Sequence, residues 1–534
     1  GIKNIFKEKN PIKIIKKENP TTKEYDYNCN LFIGGKDGSK IYFGKPVIYD
    51  DENNVQFMYP NKARLRNMTY GLTIHYDVDV EFKIKIEDKI YVKSIVLPKI
   101  YLGRFPIMLH SNSCILRGLD REVAYNMGEC KNDMGGYFII GGKEKSIVCQ
   151  EKFADNMLNI REDVSDIYSH SADVKSRSED ASKHVRTTSV KIIKPNDKYS
   201  NNQIVVEIPN VRKPVPLFIL MRALGVLSDK DIIQHCLLDL HKNKDYIDLF
   251  IPSIHDASTI FTQEAALQYI AVFTKRKTQS YVYDILMNYF IPHMGELNFK
   301  DKAIYIGTIV FKLLKVFNKE EAPTDRDNFK YKRVELPGTL LYDLFKEYYN
   351  LMQQEIFTKF DKEYFYKEAQ YEGMGNDEVP KFIGLITNNY TEYFREKGMG
   401  VNEGFRKAFK GNWGSQTHTK KLGVVQDLNR LSFNSALSQK RKLSLPLDSS
   451  AKVVGPRLCH GSQWGLIDPV DTPDGGNIGI HKHLAISTKI TKGYSMKLLL
   501  KWMREHGKLI LLNETSLEYI SYYTKIYING SIVG

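Results

Sequence analysis

The sequence predicts a multidomain α+β protein: a β-rich front, a largely helical middle, and an irregular segment towards the end. Three observations carry this. The chain has 534 residues, too many for one hydrophobic core, which points to three or four domains. The apolar pattern has a period of two before Gln150 and a helical period after Ser228. Residues 404–482 are dense in Gly, Asn, Ser, Pro and basic side chains. Weak periodicity with many special-backbone residues is expected of a functional loop region.

The elements follow in order. Residues 1–24 are basic and polar and are expected to form an arm. From Ile41 to Gln150 the chain reads mainly as β. Val80, Phe82, Ile84 and Ile86 alternate with Glu81, Lys83, Lys85 and Glu87, giving one buried face and one wet face. An apolar strand follows Gly135-Gly136, and another strand follows it. Residues 163–186 carry Ser, Asp, Lys and Arg without an apolar period and predict a loop at a domain edge. Two short strands, Thr188–Ile193 and Gln203–Ile208, come next. Ser228 with Asp231 has the form of a capping box, opening a helix that carries Ile232, Ile233, Cys236, Leu237 and Leu240. Further helical runs cover 263–290 and 300–318. The longest starts near Leu340, where Leu344, Tyr348, Met352, Ile356 and Phe360 make one apolar stripe. No Pro or Gly interrupts 339–372. A last helix is expected over Val424–Lys442.

Composition bounds the function. The apolar fraction is 42% and the charged fraction 26%, as in ordinary soluble proteins. No stretch approaches the roughly 20 apolar residues of a membrane helix. The start, Gly-Ile-Lys-Asn-Ile-Phe-Lys, lacks an apolar h-region, so no signal peptide is expected. A first residue other than Met is expected of a trimmed or cloned start. The net charge is +14. Such a balance suits a polyanionic partner through counterion release, but a Lys-rich solvated surface gives the same number. Cys29, Cys114, Cys130, Cys149, Cys236 and Cys459 form no C-x-x-C pair and read as reduced, mostly buried thiols of an intracellular protein.

Several motifs fail. Gly136–Lys143 nearly matches a phosphate-binding loop, but Gly142 breaks the spacing and Glu144 replaces the required Ser or Thr. Asp471-Thr-Pro-Asp474-Gly-Gly has Pro473 and Gly475 where a calcium loop needs oxygen ligands. No H-E-x-x-H or G-x-S-x-G appears, and no dense aspartate cluster suggests a magnesium site.

The segment richest in chemistry runs from 426 to 479. On the expected helix, Gln426, Asn429 and Arg430 share a face, and Lys440-Arg441-Lys442 ends it. Amide and guanidinium groups of that kind grip a phosphate backbone without reading sequence. Residues 445–456 have the composition of a mobile loop, with Lys452 as their one cation. Taken singly, Lys440–Lys442 reads as a solvated helix end, Trp464 as core and Asp471 as a turn cap.

Taken together these residues resemble a known family. Arg457–Gly479 contains His460, Trp464-Gly465, Pro469 and Asp471-Thr-Pro-Asp474-Gly475. It is similar to the fork of the second-largest (β-type) subunit of multisubunit DNA-dependent RNA polymerase, whose hallmark is H-x-x-x-W/Y-G-x-x-x-P-x-E-T-P-E-G. Tyr59–Tyr70 resembles that family's A-R-L-R-N-x-T-Y, and Gly103–Ser111 its G-x-x-P-I-M-L-x-S. Asp133–Lys145 resembles its G-G-Y-F-I-I-N-G-x-E-K, Asp325–Arg333 its D-R-D-x-x-x-x-K-R, and Gly411–Gly414 its G-N-W-G. The matches run in family order over about residues 41–490. Their style is that of the eukaryotic and archaeal branch and of large DNA viruses.

The resemblance implies four domains. Residues 1–159 with 354–413 would be a protrusion, 160–353 a lobe, 414–490 the fork, and 491–534 the start of an external domain. It implies an active-centre role in DNA-templated RNA synthesis, performed only in a complex, with no catalytic residue in this chain. Gln426, Asn429, Arg430, Lys440, Arg441 and Lys442 would face the RNA–DNA hybrid, and Lys452 would lie at the downstream fork. Arg457 would sit near the incoming nucleotide. Asp471 and Asp474 stand where the family has Glu, keeping the charge with a shorter reach. Gln439 replaces a frequent His. Implied partners are the largest and other polymerase subunits, template DNA and nascent RNA, with no membrane. The catalytic Mg2+ would be held by other chains or regions. The expected location is intracellular, nuclear or in a virus-infected cell or virion, with the viral setting preferred. The chain itself would be a fragment, part of a longer chain, or one piece of a split subunit. A non-catalytic nucleic-acid-binding module and a regulatory paralogue are the alternatives.

Overall fold

The computed structural model describes residues 2–18, 25–49, 52, 54–86, 89–179, 185–195, 202–371, 378–388, 390–417 and 419–534. The chain is α+β, as its periodicities predict. It forms two units. One contains residues 1–152 and 333–488, the other 153–332 and 489–534.

The first unit is built on a five-stranded antiparallel sheet. Strands Ile12–Glu18, Tyr25–Ile33, Gly71–Ile86 and Ile41–Phe43 lie in that order, and Lys89–Pro106 pairs with Gly71–Ile86. Val78, Val80, Phe82 and Ile84 of the alternating strand are buried. Against this layer packs the helix Pro337–Tyr371; of the stripe read from sequence, Leu344, Met352, Ile356 and Phe360 are buried and Tyr348 is partly buried, and Leu340 is buried with them. That helix is unbroken across residues 353 and 354. The N-terminal arm is corrected in part. Ile2–Lys9 is a helix with Ile5 and Phe6 fully buried, and Ile12–Glu18 is a strand; residues 19–24 lie outside the described residues. Two apolar side chains one position apart have enough buried area to dock a short helix, despite its basic composition.

A second, smaller core of the same unit contains Met58, Tyr70, Leu109, Tyr137, Ile139, Leu428 and Ala436. It lies directly beneath the candidate site.

In the other unit, five antiparallel strands run in the order Leu158–Glu162, Tyr168–Ser176, Arg186–Ile193, Ile204–Glu207 and Val215–Pro216. The expected loop over 163–186 is therefore wrong in its middle. Ala172, Val174 and Ser176 alternate inward, and small inward residues gave no hydrophobic period to read. Residues 180–184 lie outside the described residues. Ser228 stands at a helix N-cap, but its side chain makes no capping bond. Residues 489–534 add Leu512, Ile520 and Ile532 to this unit's core. Their anchor is Glu179, which accepts from Ser495 Oγ (2.9 Å), Met496 N (2.8 Å) and Asn529 Nδ2 (2.8 Å).

The helices Phe299–Phe317 and Asp229–Leu237 cross at backbone contact. A Cβ on Gly307 would lie 2.1 Å from the His235 carbonyl oxygen. Gly307→Ala is therefore expected to cost about 1–3 kcal/mol by overpacking, seen as a lower urea midpoint for this unit. An unchanged midpoint would contradict so close an approach.

Candidate nucleic-acid interface

Three segments distant in sequence meet at Tyr137. The helix Pro60–Leu65 brings Arg64, the 129–144 stretch brings Glu129, Asp133 and Glu144, and the 430–440 stretch brings Arg430 and Lys440. The last stretch is positioned by strand Val425–Asp427, which adds to the edge of Lys143–Ile147 with Gln426 opposite Ser146. The expected helix over Val424–Lys442 is thus corrected: only Phe433–Lys440 is helical. Val424 and Val425 suit an extended edge. Ser432 then starts the helix by exchanging capping bonds with Ser435. Gln426, Asn429 and Arg430 do not share a helix face. Gln426 is half-buried in the strand and donates to Gly423 O at 3.1 Å. Asn429 closes a turn, its Oδ1 accepting from Leu431 N at 2.9 Å. Gln439 joins strand to helix, donating to Asp427 O (2.8 Å) and accepting from Asn429 N (2.6 Å).

Arg430 is exposed but committed to partners within the protein. It donates to both oxygens of Glu144 (2.8 and 3.0 Å) and to Asp133 (3.1 Å). Arg64 donates to Glu144 (3.0 Å), to Glu129 (2.9 Å) and to the Tyr137 hydroxyl (2.7 Å). That hydroxyl donates to Asp133 at 2.6 Å. Arg430, Lys440 and Arg64 lie 5.0, 5.4 and 5.9 Å from the Tyr137 ring centre, so the ring face stabilises three cations. Burial pushes the Glu144 carboxyl up, but Arg430 and Arg64 outweigh it and hold it below the usual range. For Asp133, burial is likewise outweighed, here by bonds from Tyr137, Gly135 N–H and Arg430. Lys440 donates to Gly135 O at 3.0 Å, and its burial lowers its ammonium pKa.

The remaining predicted residues divide in the same way. Arg441 donates to the carbonyls of Leu484 and Ala485. Lys442 lies in strand Lys442–Ser444, which pairs with Cys149–Phe153 in parallel and with His481–His483 antiparallel. It is half-buried, and that burial lowers its pKa while the nearby Asp471 opposes the shift. Among the described residues its ammonium has no hydrogen-bond or ion-pair partner, and the exposed Lys452 has none either. Arg457 gives all five of its N–H groups to backbone carbonyls. Asp471 accepts from Ser438 Oγ (2.7 Å) and lies 3.2 Å from His483 Nδ1. Asp474 is exposed and unpaired among the described residues. Trp464, expected in the core, is 90% exposed. It follows the 3-10 turn Gly461–Gln463, where only Gln463 is buried, so the indole has no apolar layer to enter. Among the described residues no group of three or more His, Cys, Asp or Glu is placed to hold a metal ion. Nor is any helix there long and apolar enough to cross a membrane.

The family described as RNA polymerase beta subunit matches residues 2–372, more than half of the chain. The chain belongs to this family. The family's domain described as RNA polymerase Rpb2, domain 3, matches residues 426–490, the segment that carries the candidate site. Similar proteins include DNA-directed RNA polymerase II subunit RPB2 of Encephalitozoon cuniculi, 32% identical over 93% of this chain and 42% of its own length. The Arabidopsis thaliana DNA-directed RNA polymerase II subunit 2 is 31% identical over 93% and 41%. The archaeal subunit Rpo2 of Saccharolobus solfataricus is 29% identical over 93% and 42%. The chain therefore spans about two fifths of the length of these relatives.

Within this β-subunit frame, two of the family-like motifs, Tyr59–Tyr70 and Asp133–Lys145, prove to be one object with the 430–440 stretch, since Arg64, Asp133, Glu144, Arg430 and Lys440 all belong to the Tyr137 cluster. Sequence reasoning assigned Arg430 and Lys440 to nucleic acid and missed the residues that hold them. A signal was available: Glu144 and Asp133 are charges flanking the apolar run Tyr137–Ile140, a place where charges need partners.

Proposed function

We propose that this chain forms the front part of a second-largest subunit of DNA-directed RNA polymerase. In the assembled enzyme it supports DNA-templated RNA synthesis by lining the path of the RNA–DNA hybrid and the downstream fork. The single observation that carries this is the alignment of 93% of the chain, in one order, with polymerase second subunits. The partners under this reading are the largest and other polymerase subunits, template DNA and nascent RNA. Residues 1–159 with 354–413 are its protrusion, 160–353 its lobe, 414–490 its fork and 491–534 the start of an external domain. The Mg2+ ions of the reaction are assigned to other chains or regions. An intracellular location follows from this role. The relatives named above are eukaryotic and archaeal, so they lend no support to a viral source.

The geometry changes which cations are assigned to nucleic acid. Arg430, Lys440, Arg441 and Arg457 already have partners within the protein, so among the predicted cations Lys442 and Lys452 are those with a whole donor set to offer. Each phosphate contact contributes about one unit of slope to a plot of log affinity against log salt. With a short RNA–DNA hybrid as probe for Lys442→Gln and a short forked DNA duplex for Lys452→Gln, each variant is expected to reduce that slope by about one. The reading of Lys442 and Lys452 is wrong if both variants keep the original slope. The wider reading is tested separately by adding the remaining subunits and segments. Magnesium-dependent, template-directed RNA synthesis should then appear, and its absence from a correctly assembled complex would count against a polymerase role.

A further inference from the structure

Arg457 offers a second role within that reading. Its Nε donates to Val453 O at 3.1 Å. One terminal nitrogen donates to Gly476 O (2.6 Å) and Ile478 O (3.1 Å), and the other to Ser449 O (3.1 Å) and Ala451 O (3.0 Å). A guanidinium carries five N–H donors and no acceptor, so these bonds use its whole donor set. The acceptors come from two separate pieces of chain. Three lie in the 449–453 stretch of the loop and two in the 476–478 turn. The turn is also pressed against the Arg457 backbone: Gly479 has φ +70°, and a Cβ there would lie 2.3 Å from Arg457 O. The carbonyls have little else to hold them. Within 445–456 the described backbone bonds are Leu445 N to Ile480 O, Ala451 N to Asp448 O, Arg457 N to Val454 O and Leu458 N to Gly455 O, and none of them falls on a carbonyl that the Arg457 side chain holds.

We propose that Arg457 is a positioning residue: its guanidinium fastens loop residues 449–453 to the 476–478 turn, so that loop and turn move as one piece. Lys452 and Asp474 are then the charged groups this piece presents, and Arg457 itself does not touch the nucleotide. The proposal rests on the polymerase reading for the loop's purpose but not for the clamp itself. Planar fork geometry is essential to it. Lysine keeps the charge but has three donors around one point, which cannot reach five carbonyls in two segments.

The test compares Arg457→Lys and Arg457→Ala with the unsubstituted full chain. Amide hydrogen exchange at Ala451, Leu458 and Ile478 should be at least about tenfold faster in both variants, because local opening sets exchange there. Exchange at Leu484 should stay unchanged. Wild-type exchange in the Lys variant would overturn the proposal, since charge alone would then suffice. If the variants do not fold, the unsubstituted chain still decides: a clamped guanidinium should give separate, slowly exchanging terminal N–H signals by NMR, and one averaged signal would overturn the clamp. In an assembled polymerase, both variants should lower kcat alike at saturating nucleotide. A rise in nucleotide KM in the Ala variant that Lys rescues would instead place Arg457 on the nucleotide. Exchange needs no activity, so a clamp that fails is distinguishable from a polymerase reading that fails.

Discussion

Replacing Arg64 with methionine is expected to destabilise the unit of residues 1–152 and 333–488 by about 3–5 kcal/mol, because it strands a buried charge. Glu129 has a side chain only 5% exposed, and Arg64 is its ion-pair partner at 2.9 Å. Arg64 is itself 20% exposed, so solvent screens the pair weakly. Glu144 would keep Arg430, but Glu129 would keep no cation among the described residues. The check is urea unfolding followed through Trp413, which is buried in the same unit. A double variant, Arg64→Met with Glu129→Met, should recover at least about half of the loss, since removing both partners costs less than removing one. If the single variant loses less than about 1 kcal/mol, the pair behaves as a surface ion pair, and the cluster is not what holds the 430–440 stretch.

Acid should weaken the other unit through His293. Burial, and then the positive charge of Lys302, depress its pKa from 6.5 to about 3. Its Nδ1 lies 2.7 Å from Ser176 Oγ, its ring meets Tyr305 edge-on at 4.8 Å, and its Nε2 has no hydrogen-bond partner among the described residues. The folded form therefore favours neutral imidazole, and the unfolded chain binds the proton more readily. Stability associated with this histidine is complete above pH 6.5 and is lost as the pH falls towards 3. The slope is about 1.4 kcal/mol for each pH unit in that window. Asp256 and Asp301, raised by burial, act in the opposite sense, and the comparison with His293→Gln removes their share. The Gln variant should show a much flatter profile between pH 6.5 and 4.5. Amide exchange in the helix Phe299–Phe317 reports this unit specifically. Equal slopes in the two proteins would rule out His293 as the source.

The fold was legible wherever side-chain period reports burial. The alternating strand around Val80–Ile86 and the stripe along Pro337–Tyr371 were both read correctly, because each buries one apolar face. Reading failed where burial used small or polar residues, as at Ala172 and Ser176, or where an edge strand displaced a helix, as at Val425–Asp427. At the candidate site the sequence singled out Arg430 and Lys440 but not the carboxylates and carbonyl that hold them. A cation looks the same in a sequence whether it faces solvent or a buried carboxylate.

By itself, then, the sequence determined the family and the α+β class and pointed to the segment that carries the candidate site, since local patterns and ordered motifs need no third dimension. Only the tertiary structure decided which charges are occupied. Arg430 and Lys440 are held at Tyr137 and Arg457 at five carbonyls, while Lys442 and Lys452 keep their donors. That division rests on distances between segments up to about 300 residues apart, Arg430 to Asp133 being 297 positions, and on the cost of leaving a buried charge or carbonyl without a partner.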